Sequence, residues 1–490
     1  MSAVASFGST SMHRSRTSAE RQAKNFRRFA LVVLVAALIG LQLSDADLRA
    51  VLAPAVVILA GMLLYFAVQI RREGYMPIFE AATFFVVATA AYSIVPLLQY
   101  AAGGMACGPW GDTRLYYWSP SPQEFGGFAW RHATLMTTFV LTYLPLRGKR
   151  LWALQRPTEP VSPMVAVIVS TFMFLSLFFL LLRIYSGPGV NVYEGGTGVG
   201  ARPLPLIVQQ LANVFWAVRI HLKQCLVFIL LMRWQRRIYR WLLIAWLGAE
   251  VVTMFVVMGG RTGTMIVLLT FAVGYHLLVR PMKPAFAILV GTGLLAAILA
   301  YGAFRDIHYT GERPKGAVWG SATEFQILYG TAYDLYRKRL EHSLPPIPPQ
   351  LYFTDFYRVI PSQLLPFYKW DPSDWYLDVL QLRGQGVGLM FGIIAQSVIG
   401  FGYYDIVVRA MLLAALYAFA HRVYRRNSRS FWYTMAYLTV LTWAYYAFRS
   451  TSFEIIYRFI YYFLPTWALV KFIAIVITKA TKRKPYPARA

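Results

Sequence analysis

The sequence predicts an all-α polytopic membrane protein with about twelve transmembrane helices and one large extracytoplasmic loop. Three observations carry this. The 490 residues are 58% hydrophobic and only 14% charged, with a mean hydropathy of +0.48, whereas a soluble domain of this length needs far more polar surface. Apolar runs of roughly 17 to 25 residues recur along the chain, enough to cross a hydrocarbon core of about 30 Å. Most Lys and Arg fall in short clusters beside alternate runs, the charge signature of cytoplasmic loops.

The same placement explains the net charge of +27 without nucleic acid. The two cysteines are Cys107 in a loop and Cys225 inside an apolar run, so no disulfide framework is expected. The seven histidines show no metal spacing. Arg27, Arg28 and Phe29 faintly echo a twin-arginine export signal, but a second span follows within a few residues, which favours a retained signal anchor.

The first nine spans fall at 29–43, 51–70, 77–98, 129–146, 162–182, 205–232, 241–258, 264–279 and 284–304. The basic tail (1–28), Arg71/Arg72, Arg147 to Arg156, Arg233 to Arg240 and Arg280/Lys283 are separated by one hairpin each, so all belong on the cytoplasmic side. Counting 387–399 and 406–420 as two spans would put the basic block His421 to Arg429 outside. The run VGLMFGIIAQSVI is also short for a span, so it is read as re-entrant or interfacial. Single spans then follow at 402–421, 431–448 and 455–478. The tail 479–490 and the amino terminus are expected in the cytoplasm. The resulting division is a basic tail (1–28), helices one to nine (29–304), a large outer loop (305–401), helices ten to twelve (402–478) and a basic tail (479–490).

Buried charges call for partners, because an ionised group at the bilayer centre costs at least about 2.5–3.5 kcal/mol. Arg219 and Lys223 are four residues apart and share a helix face, with Glu250 at similar depth in the next span. Arg409 in span ten has no partner legible from the sequence. Asp45 and Asp47 resemble the DxD of metal-dependent glycosyltransferases, yet Asp45 is also well placed to cap span two.

Four arginines fall at the outer boundary: Arg261 in GGRTG, Arg305 in FRD, Arg358 in YRVIPSQ and Arg449 in FRSTS. A guanidinium is always charged and offers a rigid fork of donors to phosphate oxygens. The pattern points to an enzyme gripping a phosphate-bearing lipid, with a snorkelling arginine as the plain alternative. Within the large loop, SATEFQILYGTAYDLYRKRL has helical periodicity, with Ser321 and Glu324 as a capping box. Phe353, Phe356, Tyr357, Phe367, Tyr368, Trp370, Trp375 and Tyr376 crowd a short stretch beyond it. Such rings can stack on sugars, or form the aromatic belt of a membrane interface. A general base would be a carboxylate or histidine on this side: Glu324, Asp334, Asp306, His308 or Glu454.

With these residues in view, the chain resembles the bacterial oligosaccharide-repeat-unit polymerases, the Wzy-type O-antigen polymerases. The likeness lies in GGRTG (Gly259–Gly263), FRD (Phe304–Asp306), IPSQLLPF (Ile360–Phe367) and the stretch from Gly384, and in span layout from about residue 60 to 470. The spacing of Arg305 and Gly316 fits an arginine–glycine pattern described for the family's outer loops, whereas Arg183 and Arg202 do not supply a second copy.

The resemblance implies a membrane-embedded, GT-C-like glycosyltransferase of the bacterial inner membrane. It would join oligosaccharides carried on undecaprenyl pyrophosphate, with no nucleotide sugar, metal or other cofactor. Expected partners are membrane lipids, the lipid-linked oligosaccharide, and a chain-length regulator and flippase; the product would be an O-antigen, capsule or exopolysaccharide. Arg261, Arg305, Arg358 and Glu324 are the expected catalytic residues, and Arg449, Trp370, Trp375, Tyr376 and Tyr368 the expected substrate contacts. A ligase for the finished glycan, or a lipid-oligosaccharide flippase or transporter, remain as alternatives. The absence of an internal repeat weighs against a transporter, and there is no P-loop for ATP-driven transport.

Overall fold

The computed structural model describes residues 8–73, 77–101, 120–148, 157–186, 190–191, 196–197, 205–257, 261–280, 282, 323–361, 364–381 and 391–482. It is 84% helical, with a single two-residue antiparallel pair, Val190–Asn191 with Gly196–Thr197, among the described residues. Among the described residues, seven helical stretches are long and apolar enough to cross a membrane: Ala23–Leu43, Ala46–Glu73, Ala81–Ala101, Ser162–Leu182, Gln210–Met232, Tyr403–Arg426 and Glu454–Lys479. The chain is thus an all-α membrane protein. The other expected spans at 129–146, 264–279 and 431–448, and the described part of that at 241–258, are also helical but shorter or more polar. The expected span at 284–304 lies outside the described residues.

The chain divides into two compact units. The first comprises Met1–Ala153, Pro314–Arg425 and Ala444–Glu454. Its helices are α1 (Gly8–Leu43), α2 (Ala46–Glu73), α3 (Ala81–Ala101) and α4 (Pro122–Arg147). Asp45 caps α2 by accepting from Leu48 N at 2.7 Å, and Arg49 reaches back to the carbonyls of Leu41, Gln42 and Ser44 that end α1. The DxD-like aspartates therefore have local work: the first caps the helix, and the second accepts from Gln123. Ser121 and Glu124 close a reciprocal capping box at the start of α4. Where α2 and α4 cross, a side chain at Gly126 would meet the Ala50 carbonyl at 2.2 Å, so only a glycine allows this approach.

The rest of the first unit holds α9 (Thr323–Leu340), α10 (Thr354–Tyr357), α11 (Pro372–Val379), α12 (Gly392–Ile399) and α13 (Tyr403–Arg426). All eight residues of α12 are buried. A helix this short cannot span a bilayer, and non-spanning backbone at membrane depth is stable only inside protein. Arg339 caps its last turn, donating to the carbonyls of Val398, Ile399 and Gly400. On α13 the buried positions Ile406, Arg409, Ala410, Leu413, Ala414 and Tyr417 share one helical face.

The second unit comprises Leu154–Arg313, Arg426–Trp443 and Ile455–Ala490. It contains α5 (Ser162–Ser186), α6 (Leu206–Met232), α7 (Arg237–Val257), α8 (Arg261–Gly274), α14 (Phe431–Trp443) and α16 (Leu464–Lys482). The short α15 (Glu454–Arg458) begins at the last residue of the first unit and leads into α16. Lys223 of α6 pairs with Glu250 of α7 at 2.5 Å, and Trp246 donates to the same carboxylate. Arg219 lies over the Phe179 ring at 5.3 Å. His221 bonds Thr439, and Gln224 bonds Thr270 and Thr442, so these polar groups of α6 meet side chains of neighbouring helices.

Candidate functional site

A polar cluster of the first unit lies where the segment Phe448–Glu454 meets α10, α12 and the first turns of α13. Gly392 fixes this junction. Its nitrogen donates to Ser450 O at 2.8 Å, its φ is +68°, and a Cβ would fall 2.1 Å from the Phe448 carbonyl oxygen. Backbone conformation and close approach both demand glycine here.

Two arginines then grip the segment. Arg409, nearly buried on α13, donates to Asp405 at 2.7 Å and to Asp355. It also reaches Ser452 Oγ at 2.9 Å and Gln396 Oε1 at 3.3 Å. Gln396 in turn accepts from the nitrogen and hydroxyl of Ser452 at 2.7 and 2.6 Å. Asp355 accepts from Phe453 N at 3.1 Å. The buried charge is tolerable because two carboxylates, Asp355 and Asp405, compensate it.

Arg358 lies three residues beyond Asp355, at the end of α10. It donates to the Ser450 and Thr451 hydroxyls at 3.2 and 3.3 Å. It pairs with Glu454 at 3.2 Å and with Asp371 at 3.5 Å. Glu454 has a side-chain exposure of 0% and also accepts from Ser450, whereas Arg358 is 19% and Asp371 37% exposed. The guanidinium thus meets a fully buried carboxylate on one side and the half-exposed Asp371 on another. Lys369 donates to the carbonyls of Arg358 and Ile360 at 2.7 and 2.9 Å. Partial burial and the neighbouring guanidinium hold its ammonium below the usual lysine value.

The other expected site residues distribute unevenly. Arg449 is half-buried beside Ser450, its guanidinium 5.6 Å from the Tyr446 ring. The structure therefore brings Arg358 and Arg449 to the same segment. Tyr368 is 61% exposed and packs edge-on against the half-buried Trp370. Trp375 and Tyr376 are interior residues at 4% and 0% exposure, and the Tyr376 hydroxyl bonds Asp334. Their rings are buried in the core of the first unit, whereas Tyr368 is exposed. Asp334 also pairs with Lys338 at 2.8 Å.

Arg261 opens α8, in the second unit, and Glu324 is the second residue of α9; their side chains are not among those described. Arg305, Asp306 and His308 lie outside the described residues, as does Ser321 of the expected capping box. Sequence reasoning missed Asp355, Asp371, Gln396 and Asp405. Asp371 carried a signal, since DPSD is an N-cap pattern, and its Oδ1 does accept from Ser373 N at 2.9 Å. Among the described residues no cluster of His, Cys, Asp and Glu could hold a metal ion. No family model matches the chain, and no curated protein or solved structure matches it.

Proposed function

We propose that the chain is a membrane glycosyltransferase joining oligosaccharide repeat units carried on a polyprenyl pyrophosphate, with Arg358 and its surroundings as part of the donor site. The observation that carries the reading is the Arg358 arrangement itself. A fully buried carboxylate, Glu454, fixes one side of the guanidinium, and the long 3.5 Å contact to half-exposed Asp371 is the one an incoming phosphate can replace. Fixed donors aimed at developing charge are an effective way to stabilise a leaving group.

In the proposed reaction an acceptor hydroxyl attacks the anomeric carbon of the growing chain. The new carbon–oxygen bond forms as the bond from that carbon to the pyrophosphate oxygen breaks, and the pyrophosphate departs with the electron pair. Arg358, with Arg449 nearby, binds the departing charge. The acceptor proton passes to a carboxylate, for which Asp371 is the most exposed candidate beside Arg358. Arg261 and Arg305 remain candidates for the same anion. Tyr368 and Trp370 supply the rings that a sugar can reach.

A strain lacking the gene tests the reading through its surface polysaccharide, resolved as a gel ladder. A repeat-unit polymerase predicts collapse to single repeats. Long chains that never reach their acceptor would instead indicate a ligase, and loss of even single surface units a flippase.

A further inference from the structure

The segment from Phe353 to Tyr368 was expected as part of an extracytoplasmic loop, yet it exposes Phe353, Phe356, Leu364 and Tyr368. In water such a patch is costly, and contiguous apolar surface of this kind marks an interaction site. We infer that this segment lies in the headgroup region of the bilayer, with Phe353 and Phe356 turned into the lipid.

Three observations within the first unit favour lipid over any other occupant. The exposed residues Tyr404, Val408, Met411, Leu412 and Phe419 form one face of α13 at helical spacing, which is the lipid-facing side of a candidate span. The segment is tied to the top of that helix, because Asp355 bonds Arg409 and the Tyr352 ring stacks on Phe401 at 5.8 Å. Phe401 is itself 68% exposed, so the Tyr352 contact sets the patch beside the outward-facing start of α13.

Depth agrees. From Arg425, at the opposite end of α13, to Tyr404 the helix rises about 32 Å, close to the hydrocarbon thickness of about 30 Å. The patch then sits at the membrane–water boundary, where Tyr and Trp concentrate and where Arg358 and Lys369 meet lipid phosphates. Within α10 the sequence alternates accordingly: Asp355 and Tyr357 point inward and Phe356, at 67% exposure, points out. The inference stands whether or not the chain transfers sugars.

The test uses the full chain with Cys107→Ser and Cys225→Ser in vesicles of phosphatidylcholine and phosphatidylglycerol. A nitroxide is placed at Phe356→Cys, at Leu364→Cys as a second probe that leaves α10 untouched, and at Leu412→Cys as a lipid-core reference. Collision rates are compared for oxygen, which partitions into lipid, and a water-soluble nickel chelate. The expected result is a severalfold excess of oxygen over nickel collisions at 356 and 364, smaller than that at 412. Nickel collisions dominating at both positions would overturn the inference in favour of an aqueous loop. Low collision rates with both agents would overturn it in favour of a covering protein surface.

Discussion

Arg409 and Arg425 lie on one helix, α13, and each anchors a buried ion network at its own end. The rise between them is about 24 Å. Arg425 donates to Glu73 at 2.7 Å; Arg147 joins the same carboxylate at 2.7 Å and Glu80 at 2.6 Å. Arg409 meets Asp355 and Asp405 at the other end. Both networks join segments far apart in sequence, and Ala410–Ala420 between them is apolar, as a span requires.

Removing Arg409 tests the upper network. Arg409→Ala leaves Asp355 and Asp405 without their counter-charge, a loss of about 3–5 kcal/mol. Thermal denaturation in detergent should place Arg409→Ala well below wild type, with Arg409→Lys between them. An ammonium is a compact charge that cannot reproduce the planar fork of donors. An Arg409→Ala protein as stable as wild type would contradict the assigned network.

The Arg358–Glu454 pair separates stability from activity. Glu454→Ala alone removes the buried counter-charge and leaves the guanidinium with Asp371 and the two hydroxyls, so it should destabilise the protein by about 1.5–3 kcal/mol. The double variant Arg358→Met/Glu454→Leu replaces the pair by apolar side chains of similar volume, so most of that loss should return. The same melting measurement checks both.

The glycines on either side of α12 should differ. Gly392→Ala combines a left-handed backbone with a 2.1 Å approach to a carbonyl oxygen, so folded protein should be largely lost. Gly402 has φ of +64° but open space around its Cα. Gly402→Ala should therefore cost only the left-handed strain, about 1–2 kcal/mol. Yield of monodisperse protein on size exclusion reads the contrast.

The aromatic residues should split by burial. Tyr376→Ala removes an interior ring and its bond to Asp334, at a cost of about 3–5 kcal/mol by analogy with other buried aromatics. Tyr368→Ala should leave melting nearly unchanged and weaken polymer extension. A stable Tyr376→Ala protein would show that its ring is not part of the core.

Much of the frame was legible before any coordinates. The apolar runs mark the long helices, the short run before Phe401 is too brief to span, and the capping role open to Asp45 follows from its place before an apolar helix. Lys223 and Glu250 could be matched because two charges in adjacent spans have few other choices. The partners of Arg409 and Arg425 were not legible, since Asp355 and Glu73 are brought to them by tertiary packing that leaves no local spacing. Nor could sequence sort the aromatics. A ring in the core, at the interface or against a sugar obeys the same composition, and only burial separated Tyr376 from Tyr368.

The most direct test of the glycosyl-transfer account places the double variant Arg358→Met/Glu454→Leu in the strain lacking the gene and reads its surface polysaccharide as a ladder. With protein level and melting close to wild type, the account predicts single repeats and no extension. Restoration of the full ladder would contradict it, because chain growth would then proceed without the guanidinium assigned to the leaving pyrophosphate.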